Sequence, residues 1–185
     1  MVPRSYRTPR PMASPLRRRM IAGAALASLA GMGALANRRP ASAAEAAHAA
    51  MLGGPAEYAR ELRIAGERGQ PLLLFLSLVG CAFCEALRTD QLRHAHRERE
   101  RLGIRLVELR IDDDRPIPGI EPPRSPKRIA SALRAMIAPT VLFLDGEREV
   151  AERLVGYSSP DFYGAYLDAR IAQARATIGR QGPPA

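Results

Sequence analysis

Cysteine is almost missing from this chain of 185 residues, which holds only Cys81 and Cys84. One bridge at most can form, so a multi-disulfide scaffold is excluded. Acidic residues are missing altogether from positions 1–43, where eight arginines stand. The net charge of +9 is therefore local: 20 of the 28 basic residues lie beyond position 43, against 19 acidic ones. A folded part so nearly neutral excludes a basic nucleic-acid footprint. Beyond the first 43 residues no apolar run approaches the ~20 residues that a spanning helix needs. Internal repeats are also lacking.

What is present begins with an export-type leader. Arg17, Arg18 and Arg19 precede an apolar run from Met20 to Ala36, and Ala41, Ser42 and Ala43 supply small residues after it. This order predicts a signal peptide over 1–43, with cleavage before Ala44. The long basic region and Ala/Gly-rich core suit the twin-arginine route, with Leu16 standing where that signal usually has Ser or Thr. The general secretory route is the other reading, and an uncleaved membrane anchor is the alternative to cleavage. Export implies a periplasmic location, where a cysteine pair can cycle or stay oxidised.

The remainder reads as one domain over 56–179, after a linker at 44–55 and before a frayed tail at 180–185. Residues 56–69 are amphipathic, with Tyr58, Leu62 and Ala65 on one face and Gly69 as the C-cap. The run "PLLLFLSL" (71–78) has strand length and the continuous apolar character of a strand buried on both faces. Gly80 breaks it, and Cys81 opens a helix with Leu87, Leu92 and Ala95 as apolar positions. A second strand follows at 104–112. Five prolines between Asp112 and Pro126 then predict an irregular excursion. A short helix is expected over 127–137, with Ile129, Leu133, Met136 and Ile137 turned inward. Strands at 139–146 and 149–157 form a hairpin across an Asp-Gly turn. The last helix, 162–179, carries Phe162, Tyr166, Ile171 and Ala174 along it.

Residues three apart on a first helical turn can close or open a disulfide with little rearrangement. A helix start also favours the thiolate at Cys81. Two other chemistries stay open on the residues alone. A permanent bridge would close too small a loop to add much stability. A metal site would need His94 or His96, which diverge on the helix and lie far from Cys84. The acids Asp112, Asp113 and Asp114 read as a solvated loop start, and the loop 115–126 as an exposed insertion.

Three stretches together resemble the thioredoxin-like superfamily, specifically exported bacterial thiol–disulfide proteins. They are "PLLLFLSL" running into "GCAFC", "APTVLFLDG" (138–146) opening on Pro139, and "RLVGY" (153–157) with its glycine near a strand end. The resemblance covers about residues 56–178. It implies an α/β thioredoxin fold with a central four-stranded mixed sheet flanked by helices. It further implies a redox-active Cys81–Cys84 pair and a cis bond before Pro139. Ala138, Pro139 and Thr140 would border Cys81 and receive an extended substrate segment. No bound cofactor or metal is implied. The partners would be protein thiols and disulfides and a redox partner such as a membrane electron donor, met by a monomer. The sequence departs from the family at Ala82, where Pro or Gly is usual, and at Phe75, where thioredoxin itself has a buried acid. A thioredoxin-like binding or chaperone module, or a metal carrier, is the alternative function.

Overall fold

The apolar run after Pro71 forms β1, Leu72–Ser77, and every residue in it is buried. Its side chains alternate between two cores, because successive strand residues point to opposite faces. Leu73 and Phe75 enter one core, and Leu72, Leu74 and Leu76 enter the other. This computed structural model describes residues 47, 51–122, 124–158 and 160–180, which all fall within one compact unit. The expected leader, most of the expected linker and nearly all of the tail lie outside the described residues.

Helix α1, Pro55–Arg68, ends on Gly69, whose positive φ of 58° suits a residue without a Cβ. Tyr58 and Ala65 are buried as expected, and the third buried position is Glu61, with Leu62 only partly covered. After β1 come α2, Ala82–Leu87, a π turn over Arg88–Leu92, and α3, Arg93–Arg97. Helix α4, Arg99–Leu102, leads into β2, Arg105–Arg110. Helix α5 is Pro126–Ala132, the hairpin strands are β3, Thr140–Asp145, and β4, Arg148–Val155, and α6 is Pro160–Gly179.

The strand order is β2-β1-β3-β4. β1 and β2 are parallel, and β3 is antiparallel to both β1 and β4, so the sheet is mixed. One core lies between the sheet and the α2–α3 and α6 helices. The other lies between the sheet and α1 and α5. The α/β reading with a flanked four-stranded mixed sheet therefore holds.

Three expectations differ from the structure, and a fourth matter, the buried face of α6, is decided by it. Leu52, placed in the 44–55 linker, is fully buried, and Gly53 accepts a hydrogen bond from the Glu108 N–H of β2 at 3.2 Å. The 127–137 helix stops at Ala132, because Arg134 turns into the left-handed region. Met136 and Ile137 are consequently exposed rather than inward. On α6 the buried aromatic is Tyr163, with Leu167 a turn on, while Phe162 and Tyr166 face outward. The proline-rich excursion is pinned rather than merely exposed: Ile117 is buried, its N–H bonds the Arg124 carbonyl, and Asp113 is buried against Arg115.

Candidate functional site: a dithiol at one end of the sheet

The chain leaves β1, turns through Gly80 at a φ of 69°, and reaches Cys81. Cys81 is the N-cap of α2 in extended conformation, and its sulfur accepts from the Cys84 N–H at 3.1 Å. Its carbonyl accepts from the N–H groups of Cys84 and Glu85. The three-residue spacing brings the Cα atoms to 5.2 Å, and the two sulfurs are bonded. The pair is asymmetric. Cys84 is 1% exposed and belongs to the core, whereas Cys81 is only partly buried, and Phe83 between them is 64% exposed.

Strand register gathers the other candidate residues at this end. Leu76 of β1 pairs with Thr140 of β3, and Thr140 pairs with Val155 of β4. The segment before β3 and the residues after β1 therefore emerge together. The Ala138–Pro139 bond is cis. Ala138 is partly exposed and Pro139 is buried, with its carbonyl accepting from the Gly156 N–H at 2.8 Å. Thr140 is 1% exposed, and its hydroxyl donates to the Ile137 carbonyl at 2.7 Å. Its side chain is thus committed inward.

The large exposed hydrophobic residues among those described also sit here. Leu78, Val79 and Phe83 follow β1, Met136 and Ile137 precede β3, Val155 ends β4, and Phe162 and Tyr166 lie on the first turns of α6. An apolar rim around a thiol pair is what an exposed patch with a binding role looks like.

A profile of the thioredoxin-like domain matches residues 58–171, well over half of the chain. The chain belongs to the thioredoxin-like domain family. Similar solved structures include thioredoxin O2 from Arabidopsis thaliana, at 14% identity, covering 63% of this chain and 88% of that one with a TM-score of 0.43. The periplasmic thioredoxin SoxS from Paracoccus pantotrophus is 24% identical over 57% of this chain and 99% of its own, with a TM-score of 0.40. DsbH oxidoreductase is 16% identical over 62% and 81%, with a TM-score of 0.45. No curated protein matches the chain. A thioredoxin-like domain with a Cys-x-x-Cys pair supports thiol–disulfide oxidoreductase activity in general.

In this thioredoxin-like domain Phe75 is fully buried, with Glu108 and Arg88 beside it. Glu108 is the register partner of Phe75 on β2 and is itself buried. Arg88, one turn beyond Cys84, is 2% exposed. Its guanidinium grips Glu108 bidentately at 2.8 and 2.6 Å, reaches Glu85 at 2.7 Å, and lies 5.7 Å from the centre of the Phe75 ring. Burial works against the Arg88 charge, but the Glu108 and Glu85 carboxylates outweigh it and hold the guanidinium above its ordinary range. The sequence signal for this pair was Glu108 set among the apolar Leu106, Val107 and Leu109 of β2, with an arginine on the buried side of a helix. Elsewhere, His94 is exposed and His96 is partly buried. No group of three His, Cys, Asp or Glu suited to a metal occurs among the described residues.

Proposed function

We propose that this protein is an exported thiol–disulfide oxidoreductase that exchanges disulfides with protein substrates through Cys81 and Cys84, without a bound cofactor. The observation that carries the reading is the asymmetry of the pair, with Cys81 reachable at a helix start and Cys84 held in the core behind it. The helix start favours a thiolate at Cys81. Glu85 would oppose that charge, but its carboxylate is engaged by Arg88.

In the reducing direction the Cys81 thiolate attacks one sulfur of a substrate disulfide. A mixed disulfide forms and the first substrate thiolate leaves. Cys84, once deprotonated, then attacks Cys81, which closes the internal disulfide and releases the second substrate thiolate. Two electrons have passed from the dithiol to the substrate, and the oxidising direction is the reverse. Ala138 and Pro139 would receive an extended substrate segment at the apolar rim, and Thr140 would support them through its bond to the Ile137 carbonyl. Export is supported by the leader of residues 1–43, and among the described residues no helix is long and apolar enough to cross a membrane. We further assign the working form as a monomer that meets a separate redox partner, such as a membrane electron donor.

The test is trapping. Cys84→Ser should accumulate mixed disulfides with a disulfide-bearing protein through Cys81, and Cys81→Ser should accumulate none. No adduct from Cys84→Ser, together with a Cys81 pKa near the free-cysteine value of ~8.5, would refute the reading. Equilibration against glutathione assigns direction: a potential near ~−270 mV indicates a reductase and one near ~−120 mV an oxidant.

A further inference from the structure

Between α5 and β3 the chain runs from Leu133 to Pro139 and presents Met136, Ile137 and Ala138 at the dithiol end of the sheet. Its shape is not one that local preference supplies. Arg134 has a φ of 51°, in the left-handed region that a residue with a Cβ enters at a steric cost. Leu133 caps α5, and the Ile129, Ala130 and Ser131 carbonyls accept from the N–H groups of Leu133, Ala135 and Arg134, so the capping turn leaves the Leu133 and Arg134 carbonyls to a partner outside the helix.

One side chain from β4 answers both features. Arg153 donates from Nη2 to the Leu133 carbonyl at 3.0 Å and from Nη1 to the Arg134 carbonyl at 3.1 Å. Glu149 holds the guanidinium from its other edge, accepting from Nε at 3.0 Å and from Nη2 at its second oxygen. A planar fork can span two adjacent carbonyls and a carboxylate together, which a lysine ammonium cannot do with the same geometry. Further along, the Thr140 hydroxyl holds the Ile137 carbonyl, and the Gly156 N–H holds that of Pro139. The segment is thus tied at its start, middle and end, and Arg153 makes the start.

We propose that Arg153, oriented by Glu149, is a positioning residue for substrate recognition, setting the Leu133–Pro139 segment in the shape that receives a protein substrate. The proposal rests on the dithiol reading given above. Arg153 acts through the segment and not on the sulfurs, so recognition of a polypeptide depends on it and thiol chemistry does not.

The full chain with Arg153→Ala should be compared with wild type in dithiothreitol-driven reduction of insulin and, after pre-reduction and removal of free thiol, in single-turnover reduction of a small aromatic disulfide, 5,5′-dithiobis(2-nitrobenzoate). The expected result is a KM for insulin raised about fivefold with kcat within about twofold. The rate with the small disulfide and the Cys81–Cys84 potential should be unchanged. Arg153→Lys should restore less than half of the loss. If Arg153→Ala does not fold, Glu149→Gln decides, with a smaller rise in the insulin KM supporting the proposal and an unchanged KM overturning it. A folded Arg153→Ala with unchanged insulin KM, or with both substrates slowed equally, overturns it. A wild-type protein that reduces neither substrate refutes the dithiol reading instead.

Discussion

Arg88 sits on the same helix face as Cys84, and its charge is kept inside the core by a bidentate bond to Glu108. Removing one partner of such a pair leaves the other buried and uncompensated, which is costlier than replacing both. Arg88→Met should therefore lower the unfolding free energy by about 3–5 kcal/mol. The double variant Arg88→Met/Glu108→Leu should recover much of that loss, as measured by urea denaturation. Equal stability of the single and double variants would show that the pair is not coupled. The position of Phe75 belongs to the same account. With an aromatic ring at that site, the acid on the Cys84 face is Glu108, one strand over, and it is bound to a cation. This cluster was only partly legible in the sequence, because a charge in an apolar strand announces that it needs a partner without naming which one.

Helix α6 shows the same limit at the level of an element. Its existence follows from a long stretch of good helix formers after Pro160, but its rotation about its own axis follows from what it packs on. The helix carries apolar residues on more than one side, so its pattern does not single out a buried stripe. Tertiary packing selects Tyr163, Leu167, Ile171, Ala174 and Ile178, with the Tyr163 ring edge-on to Tyr157 at 5.1 Å. Leu167→Ala should cost about 2–5 kcal/mol, as a truncation in a close-packed core. Phe162→Ala should stay within about 0.5 kcal/mol, as a change at an exposed site. Thermal or urea unfolding of both variants checks the assignment, and a reversed order would place the other face of α6 on the sheet. The end of α5 is a parallel case. Apolar Met136 and Ile137 continue a helical spacing, yet the chain turns at Arg134, where the Arg134 and Ala135 N–H groups close the end of α5 and Arg153 of β4 donates to the Leu133 and Arg134 carbonyls.

Across the whole molecule, several buried or half-buried groups give stability one pH direction. Burial alone would raise Glu61 and Asp113, but hydrogen bonds from Arg105 and Arg60, and from Arg115, outweigh it and hold both carboxyls below their usual range. A folded pKa below the unfolded one contributes stability that is complete above the unfolded value and is lost as pH falls through the folded value. With unfolded values of about 4, that loss should begin near pH 5 and steepen below pH 4. His96 adds to the same slope earlier, since burial, with Arg99 beside it, holds its pKa below the ordinary value. The unfolded chain then takes up that proton first as pH falls through about 6.5. Urea midpoints should decline modestly from pH 7 to 5 and sharply below 4, and Glu61→Gln should flatten the acid limb. An acid limb unchanged in Glu61→Gln would show that the Arg105 pairing carries none of it.

The sequence by itself determined the order of helices and strands, the burial of β1 on both faces, the hairpin turn and the spacing of Cys81 and Cys84. These are local properties, set by apolar periodicity, by turn residues and by chain distance along a helix. Only the tertiary structure decided which acid stands on the Cys84 face. It also decided which side of α6 is buried, and that Arg153 grips the segment before Pro139. Each of those depends on how separate elements meet across a strand register or a helix crossing, and no local pattern records such a meeting.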